Sequence, residues 1–409
     1  MVKERYEQTE VGVIPEDWDI RAVGDICDFI VPGRNKPRIF KGDIPWITTP
    51  DLENGRGVSE SKLGLFVSRD EAKSVGSKIV PTGAVLMSCV GELGIVAFVE
   101  REIVINQQLH AFIPTSVIDP LFLLNVLQSQ KNFMLSIATL TAVPYLNKDN
   151  CNSIPIPLPS LPEQRSISQS LSDVDALIDA LDKAIAKKRA IKTATMQQLL
   201  TGEKRLPGFL GNWTDTQIGT EIDLLTGYPF PSANYSDSGI KLLRGSNIKR
   251  GETDWAEDLI QYWSEITPDI SQYVLKDGDI VVAMDGSLVG RSFARLSKAD
   301  LPALLLQRVA RIRSEKIDVG YLKEWICSKF FTEHCDAVKT VTAIPHISSG
   351  DIRSFRIRIP PTHEEQRAIA TVLSDMDTEI AALETRLAKT QALKQGMMQA
   401  LLTGRIRLA

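Results

Sequence analysis

The residues best suited to chemistry in this chain are hydrogen-bonding side chains set in loops, and they fall into two groups. The first comprises Arg34, Asn35, Lys36 and Arg38 in a basic loop, Thr48 and Thr49 after Trp46-Ile47, the run Asn106, Gln107 and Gln108, and then Tyr145, Asn147 and Lys148. The second comprises Arg244, Ser246 and Asn247, then Asp285, Ser287 and Arg291, then Gln307 and Arg308, and finally His346. Arginine and lysine suit guanine edges and phosphates, and the side-chain amide of asparagine suits adenine. Any one of these residues is more readily explained as a solvated loop residue or a cap. Their recurrence at equivalent places in two halves of the chain favours a pair of recognition surfaces.

Catalytic pairings are missing from the same loops. There is no Gly-x4-Gly-Lys-Ser/Thr phosphate loop,. The four histidines, His110, His334, His346 and His363, are far apart in sequence and none has a metal-ligand spacing,. Gly227-Tyr228-Pro229-Phe230 faintly resembles the Asn/Asp-Pro-Pro-aromatic signature of adenine methyltransferases, but it lacks the amide and the second proline. No glycine-rich cofactor loop follows a strand, and no Asp…Glu-x-Lys nuclease cluster is evident,. The chain is therefore expected to have no catalytic residue, no metal and no cofactor of its own.

What positions the two groups is an internal copy. Glu163-Gln164-Arg165 recurs as Glu365-Gln366-Arg367, and Leu199-Leu200-Thr201-Gly202 recurs as Leu401-Leu402-Thr403-Gly404, both at an offset of 202. Ile167, Leu171, Val174, Ile178, Leu181 and Ile185 form an a/d seam, which Ile369, Leu373, Met376, Ile380, Leu383 and Leu387 repeat with the same spacings,. Pro162, Pro360 and Pro361 suit helix starts, and Gly202 and Gly404 suit helix ends,. About 38 residues of helix make a rod of roughly 57 Å.

Packing the two helices antiparallel within one chain buries both seams, relates the halves by a pseudo-two-fold axis and brings the two ends of the chain together. Arg405-Ile406-Arg407-Leu408 then matches Lys204-Arg205-Leu206 in position. The alternative is a coiled-coil structural or adaptor protein that dimerises through its seams and binds no particular DNA sequence. That alternative does not require the Glu-Gln-Arg and Leu-Leu-Thr-Gly ends to match.

The fold class expected is two α/β (α+β) target-reading domains separated by two long antiparallel helices forming an intramolecular coiled coil. The boundaries are 1–160 for the first domain, 161–203 for the first helix, 204–362 for the second domain and 363–409 for the second helix. The domains are weakly alike. Pro15-Glu16-Asp17-Trp18 parallels Leu210-Gly211-Asn212-Trp213, and Ala142-Val143-Pro144-Tyr145-Leu146 parallels Ala343-Ile344-Pro345-His346-Ile347. Helical segments are predicted at 120–130 and 319–329, among short β-branched runs and Gly/Pro/Asn/Asp turns.

A length of 409 residues allows two or three cores, and 43% hydrophobic with 24% charged residues is an ordinary globular balance,. The net charge of −4 counts against a simple nucleic-acid binder. It requires that positive groups be concentrated locally or supplied by partners. Five scattered cysteines with no C-x-x-C pair suggest reduced thiols,. The polar start Met1–Gln8 lacks the apolar core of a signal peptide, and no apolar run is long enough to span a bilayer,. A cytoplasmic location is expected.

In order along the chain, Ile14-Pro15-Glu16-Asp17-Trp18, Gly42-Asp43-Ile44-Pro45-Trp46-Ile47-Thr48, Leu161-Pro162-Glu163-Gln164-Arg165 with its copy, and the twin Leu-Leu-Thr-Gly ends resemble the specificity subunits of type I restriction–modification enzymes. The resemblance covers nearly the whole chain. It implies a non-catalytic subunit whose two domains each read half of a split double-stranded DNA site. The helices would dock two methyltransferase subunits, and restriction subunits would join them. S-adenosylmethionine and ATP with Mg would belong to those partners, which would extrude the adenine they methylate. Unlike loops on like scaffolds, such as Trp46-Ile47-Thr48-Thr49 against Leu242-Leu243-Arg244-Gly245, predict an asymmetric bipartite target. The half-sites should lie about one helical turn apart.

Overall fold

The computed structural model describes residues 5–32 and 35–408, and the chain divides into two compact units. One joins Met1–Asp182 to Thr385–Ala409, and the other is Lys183–Glu384. The long helices Leu161–Thr201 and His363–Leu401 are each continuous, and each gives one half to each unit.

In the first unit a five-stranded sheet has the order Cys27–Ile30, Leu109–Pro114, Val85–Ser88, Val96–Val99, Arg56–Val58. Its neighbours are antiparallel except for the last pair. The second unit repeats that order and those directions with Asp223–Thr226, Val309–Arg313, Ile280–Ala283, Phe293–Arg295 and Arg250–Gly251. A smaller sheet runs Phe66–Val67, Ile44–Ile47, Ile103–Ile105, Ile79–Val80 in the first unit, and Tyr262–Trp263, Ile240–Leu243, Ala303–Leu305 in the second.

The central strands Val85–Ser88 and Ile280–Ala283 are buried at every position because both of their faces are covered,. Val85 and Met87 face one core, shared with Phe122, Leu123 and Leu127, whereas Leu86 faces a separate core with Ile47 and Ile105. Ile280 and Val282 likewise face Tyr321 and Ile326, and Val281 and Ala283 face Leu243 and Leu305. Two-residue alternation thus sorts one strand between two cores.

The helices Pro120–Ser129 and Val319–Cys327 stand where the sequence predicts them. Asp119 caps the first by accepting from the N–H groups of Leu121 and Phe122, and Asp318 caps the second through Gly320 and Tyr321,. Each is followed by a further helix that the sequence reading did not anticipate, Lys131–Ile137 and Lys329–Val338.

The long helices are antiparallel within each unit, because residue numbers rise along one and fall along the other. In the first unit Asp175 pairs with Lys394 at 2.7 Å and Glu163 pairs with Arg407 at 2.6 Å. In the second, Asp377 pairs with Lys192 and Glu365 with Arg205. Ile167 and Leu171 are buried in the first unit's core beside Leu401 and Leu402, and Ile369 and Leu373 in the second's beside Leu199 and Leu200. Each such side chain contributes roughly 1.5–3 kcal/mol. Ile178, Leu181, Ile185 and Ile380 are also buried, while Val174, Met376, Leu383 and Leu387 are half-buried. Both helices end alike. Gly202 and Gly404 are left-handed, with φ of 70° and 66°. Beyond them Lys204 N–H reaches Gln198 O and Ile406 N–H reaches Ala400 O, each at 3.1 Å,.

The repeated Glu-Gln-Arg motif fastens each globular part to its helix. Buried Gln164 accepts from the Asp119 N–H at 2.8 Å and donates to Pro159 O at 2.9 Å and Val117 O at 3.1 Å. Gln366 accepts from the Asp318 N–H at 2.8 Å and donates to Pro360 O at 3.2 Å. A long helix and the cap of a short one are thereby held in fixed register.

Candidate nucleic-acid interface

In the second unit the candidate residues converge on the end of the Ile280–Ala283 strand. A cavity of about 500 Å³ is lined by Ser246, Lys249, Asp285, Ser287, Gln307 and Arg308, among others. A second, of about 390 Å³, shares Asp285, Gln307 and Arg308 and adds Thr226 and His346. Arg308 holds a left-handed backbone at φ 65°, and its guanidinium donates to Asp285 at 2.9 Å. The Arg308 side chain nevertheless remains 66% exposed, so its remaining donors face outward. His346 is tied in from the other side, with its backbone bridged to that of Asp285 and its Nδ1 2.9 Å from Thr340 Oγ1.

The other candidates of this unit serve its own framework. Asn247 is 0% exposed; it accepts from the Arg244 N–H and donates to Asp254 O at 2.9 Å. Arg244 is half-buried, donating to Leu259 O. Arg291 grips Asp336 through both terminal nitrogens, at 3.1 and 2.6 Å. Arg291 and Lys339 together hold the Asp336 carboxyl well below the usual carboxylate range,.

The first unit gathers Thr49, Asn106 and Gln108 at the equivalent place. The Asn106 amide donates to Gln108 Oε1 at 3.1 Å, the Thr49 hydroxyl reaches the same oxygen at 3.4 Å, and the Gln108 N–H returns to Asn106 Oδ1 at 3.1 Å. Gln107 is exposed between them. Tyr145 is bridged to Val90, as His346 is to Asp285. Lys148 lies over the Phe29 ring at 4.6 Å and Lys36 over Trp46 at 5.2 Å,. Asn35 and Arg38 are exposed, and the Arg38 N–H is held by Glu71 at 2.6 Å. Arg34 lies outside the described residues.

Thr48 and Asn147 do structural work. The Thr48 hydroxyl and N–H are both taken by Asp51, and the Asn147 side chain caps Lys148–Asn152 by accepting from Asn150. Thr48 with Asp51 occupies the position that Arg244 with Asn247 fills in the second unit, Asp51 and Asn247 each accepting from the backbone N–H three residues earlier. Sequence alone could not separate these inward-facing polar residues from outward-facing ones, because both kinds sit in turns of the same composition.

Lys249, Leu288 and Ser292 also line the larger cavity and were not anticipated; as isolated loop residues they carried no motif. Gly227–Phe230 serves a small aromatic core, with Tyr228 and Phe230 5.0 Å apart and Phe230 4.9 Å from Trp263. Gly227 sits where a Cβ would fall 2.0 Å from Leu306 O. Among the described residues no group of three His, Cys, Asp or Glu is placed to hold a metal ion. No helix among them is long and apolar enough to cross a membrane.

Two like units with unlike polar floors, joined through a duplicated helix, define a class of protein that the comparisons identify. The family model for the type I restriction modification DNA specificity domain matches residues 15–189 and 216–394. The chain belongs to that family, and it is a specificity subunit of the type I restriction–modification kind. It is 27% identical to the type I restriction enzyme MjaVIII specificity subunit of Methanocaldococcus jannaschii over 425 residues, covering 99% of this chain and 97% of that protein. It is 32% identical to the EcoAI specificity subunit of Escherichia coli over 162 residues, 39% of this chain and 27% of that one. Its fold matches the S subunit structure from M. genitalium with a TM-score of 0.59 at 13% identity, covering 94% of this chain and 96% of that one. A chain from a structural study of type I R-M complex assembly and conformational transition matches at 0.57 and 17%, covering 96% and 99%.

Proposed function

We propose that this chain is the non-catalytic reader of a type I restriction–modification complex, with each unit recognising one half of an asymmetric bipartite site in duplex DNA. The observation that carries this reading is a repeated scaffold with different side chains at matched positions. Thr49 and Gln108 stand in the first unit where Gly245 and Arg308 stand in the second, on the same strand order. Such a pair of floors suits two different base sequences recognised in one binding event.

In the second unit the Asp285-held Arg308 has the donor fork for a guanine edge. In the first, the amides of Asn106, Gln107 and Gln108 suit adenine, with Lys36, Arg38, Lys148 and Lys249 as phosphate contacts in the two units. The helices dock two methyltransferase subunits and set the unread spacer. Those partners supply S-adenosylmethionine, the methyl-transfer site and much of the positive charge that a chain of net charge −4 lacks,. Restriction subunits add ATP-dependent cleavage, and the assembly works in the cytoplasm.

Long-read methylation mapping of cells carrying this gene with a cognate methyltransferase gene tests the reading. The expected result is one motif of two specified parts around an unspecified gap. Lengthening both helices by four residues, about one turn, should widen the gap and leave both parts unchanged. Absence of any methylated motif, or a continuous one, would overturn the assignment.

A further inference from the structure

Each unit carries the same projecting loop beside its reading floor, and the two loops are more alike than the floors they adjoin. Thr139-Leu140-Thr141-Ala142-Val143-Pro144 in the first matches Thr340-Val341-Thr342-Ala343-Ile344-Pro345 in the second. Their aliphatic tips stand in solvent, with Leu140 80% and Val143 52% exposed, and Val341 102% and Ile344 60% exposed. Isolated exposed aliphatic residues are unremarkable. Here the exposure is built twice on the same supports.

The Thr141 hydroxyl donates to Val143 O at 2.6 Å, and the Thr342 hydroxyl to Ile344 O at 2.7 Å. The Gly91 N–H is bonded to Pro144 O at 2.9 Å, and the Gly286 N–H to Pro345 O at 3.0 Å. Each loop is closed at its base by hydrogen bonds, in the first between the N–H and C=O groups of Thr139 and Tyr145, and in the second from the Thr340 N–H to His346 O and from the His346 N–H to Thr340 Oγ1. Tyr145 and His346 then bridge to Val90 and Asp285, so each tip is braced against its own reading floor.

We infer that these tips are apolar wedges that enter the DNA groove beside each half-site and distort the duplex without reading its sequence; the inference rests on the DNA-reading function proposed above. A ligand met by both units must offer both the same chemistry. Duplex DNA does so through its sugars and stacked base steps, whatever the bases. Aliphatic side chains are the usual wedges between base steps, and the bend they create brings more backbone onto the protein. Charge is compatible with this partner, since no acidic residue lies between Thr139 and Lys148 or between Lys339 and Ser348.

The test uses the full chain with its methyltransferase subunits on a duplex bearing the mapped motif, with donor and acceptor dyes outside one half-site. Leu140→Ser with Val143→Ser should reduce the bend at the first half-site and weaken binding by about tenfold on specific and random duplex alike. Val341→Ser with Ile344→Ser should do the same at the second. The mapped motif should keep its sequence in both cases. Leu140→Asp and Val341→Asp, at positions with little packing to lose, should lower affinity further by opposing the phosphates. Wild-type selectivity combined with unchanged bending and affinity in these variants would overturn the wedge, as would loss of the methyltransferase subunits from the complex. A wild-type complex without sequence-selective binding would instead overturn the function on which the wedge rests.

Discussion

Arg407 donates from Nε to Glu163 at 2.6 Å and from a terminal nitrogen to its second oxygen at 2.9 Å, joining the tail of the second helix to the start of the first within one unit. Arg205 makes the same two bonds to Glu365 in the other unit, both at 2.7 Å. Glu163 and Glu365 are almost wholly buried, so each arginine neutralises a carboxylate that water does not reach. Arg407 also bonds Asp17 and holds its carboxyl below the usual carboxylate range.

Removing one partner of such a pair strands a buried charge. Arg407→Ala should destabilise the first unit by roughly 3 kcal/mol, and Arg205→Ala should do the same to the second. Urea unfolding followed by hydrogen exchange should localise each loss to its own unit. Glu163→Gln combined with Arg407→Ala should recover part of the loss, because no charge is then left behind.

Gln164, itself buried, satisfies one backbone N–H and two backbone carbonyls. Gln164→Ala should cost about 2–3 kcal/mol, and Gln164→Glu should cost at least as much, since a carboxylate cannot donate to Pro159 O and Val117 O. Thermal unfolding of the two variants checks this. An alanine variant as stable as the parent would show that the bracket contributes nothing.

His110 introduces a pH dependence confined to the first unit. Burial beside Phe29 and Phe112 pushes its pKa down to about 4, with Lys148 adding to the shift and Asn152 opposing it. The folded state therefore binds this proton less readily than the unfolded chain. Stability should be level above about pH 6.5 and fall as pH drops towards 4, by up to roughly 3 kcal/mol. His110→Phe should remove that slope in urea titrations across the same range. The second unit has Ala310 at the matching strand position and no such group.

The asymmetry between what was legible in the sequence and what was not has a physical basis. The helices could be read because the spacing of Ile167, Leu171 and Val174 is a consequence of burying one face, and a copied pattern doubles the signal. The twin Leu-Leu-Thr-Gly ends were likewise legible, since a left-handed glycine is required there. The purpose of Glu163 and Gln164 was not legible. A repeated polar triplet looks like a surface motif until Arg407, Val117 and Asp119 are brought to it across the fold.

The same limit applied to the reading floors. Asn247 and Ser246 are adjacent in sequence, yet one is enclosed by backbone and the other faces a cavity. Which way a turn points its polar groups depends on long-range partners such as Asp254 and Leu259, which local composition does not specify. The parallel between Ala142–Leu146 and Ala343–Ile347 was legible, but the exposure of the loop tips was not, because Leu140 and Val341 look like core residues in any pattern-based reading.

If one unit reads one half-site, Arg308 is the side chain whose loss shows it most directly. Arg308→Ala should be expressed with its methyltransferase partner and the methylome sequenced. Loss of the fork should relax or weaken a specified position in one half of the motif by roughly 1–3 kcal/mol, with the other half and the gap length unchanged. A variant whose two half-sites change together, or whose motif is untouched at every position, would contradict the account.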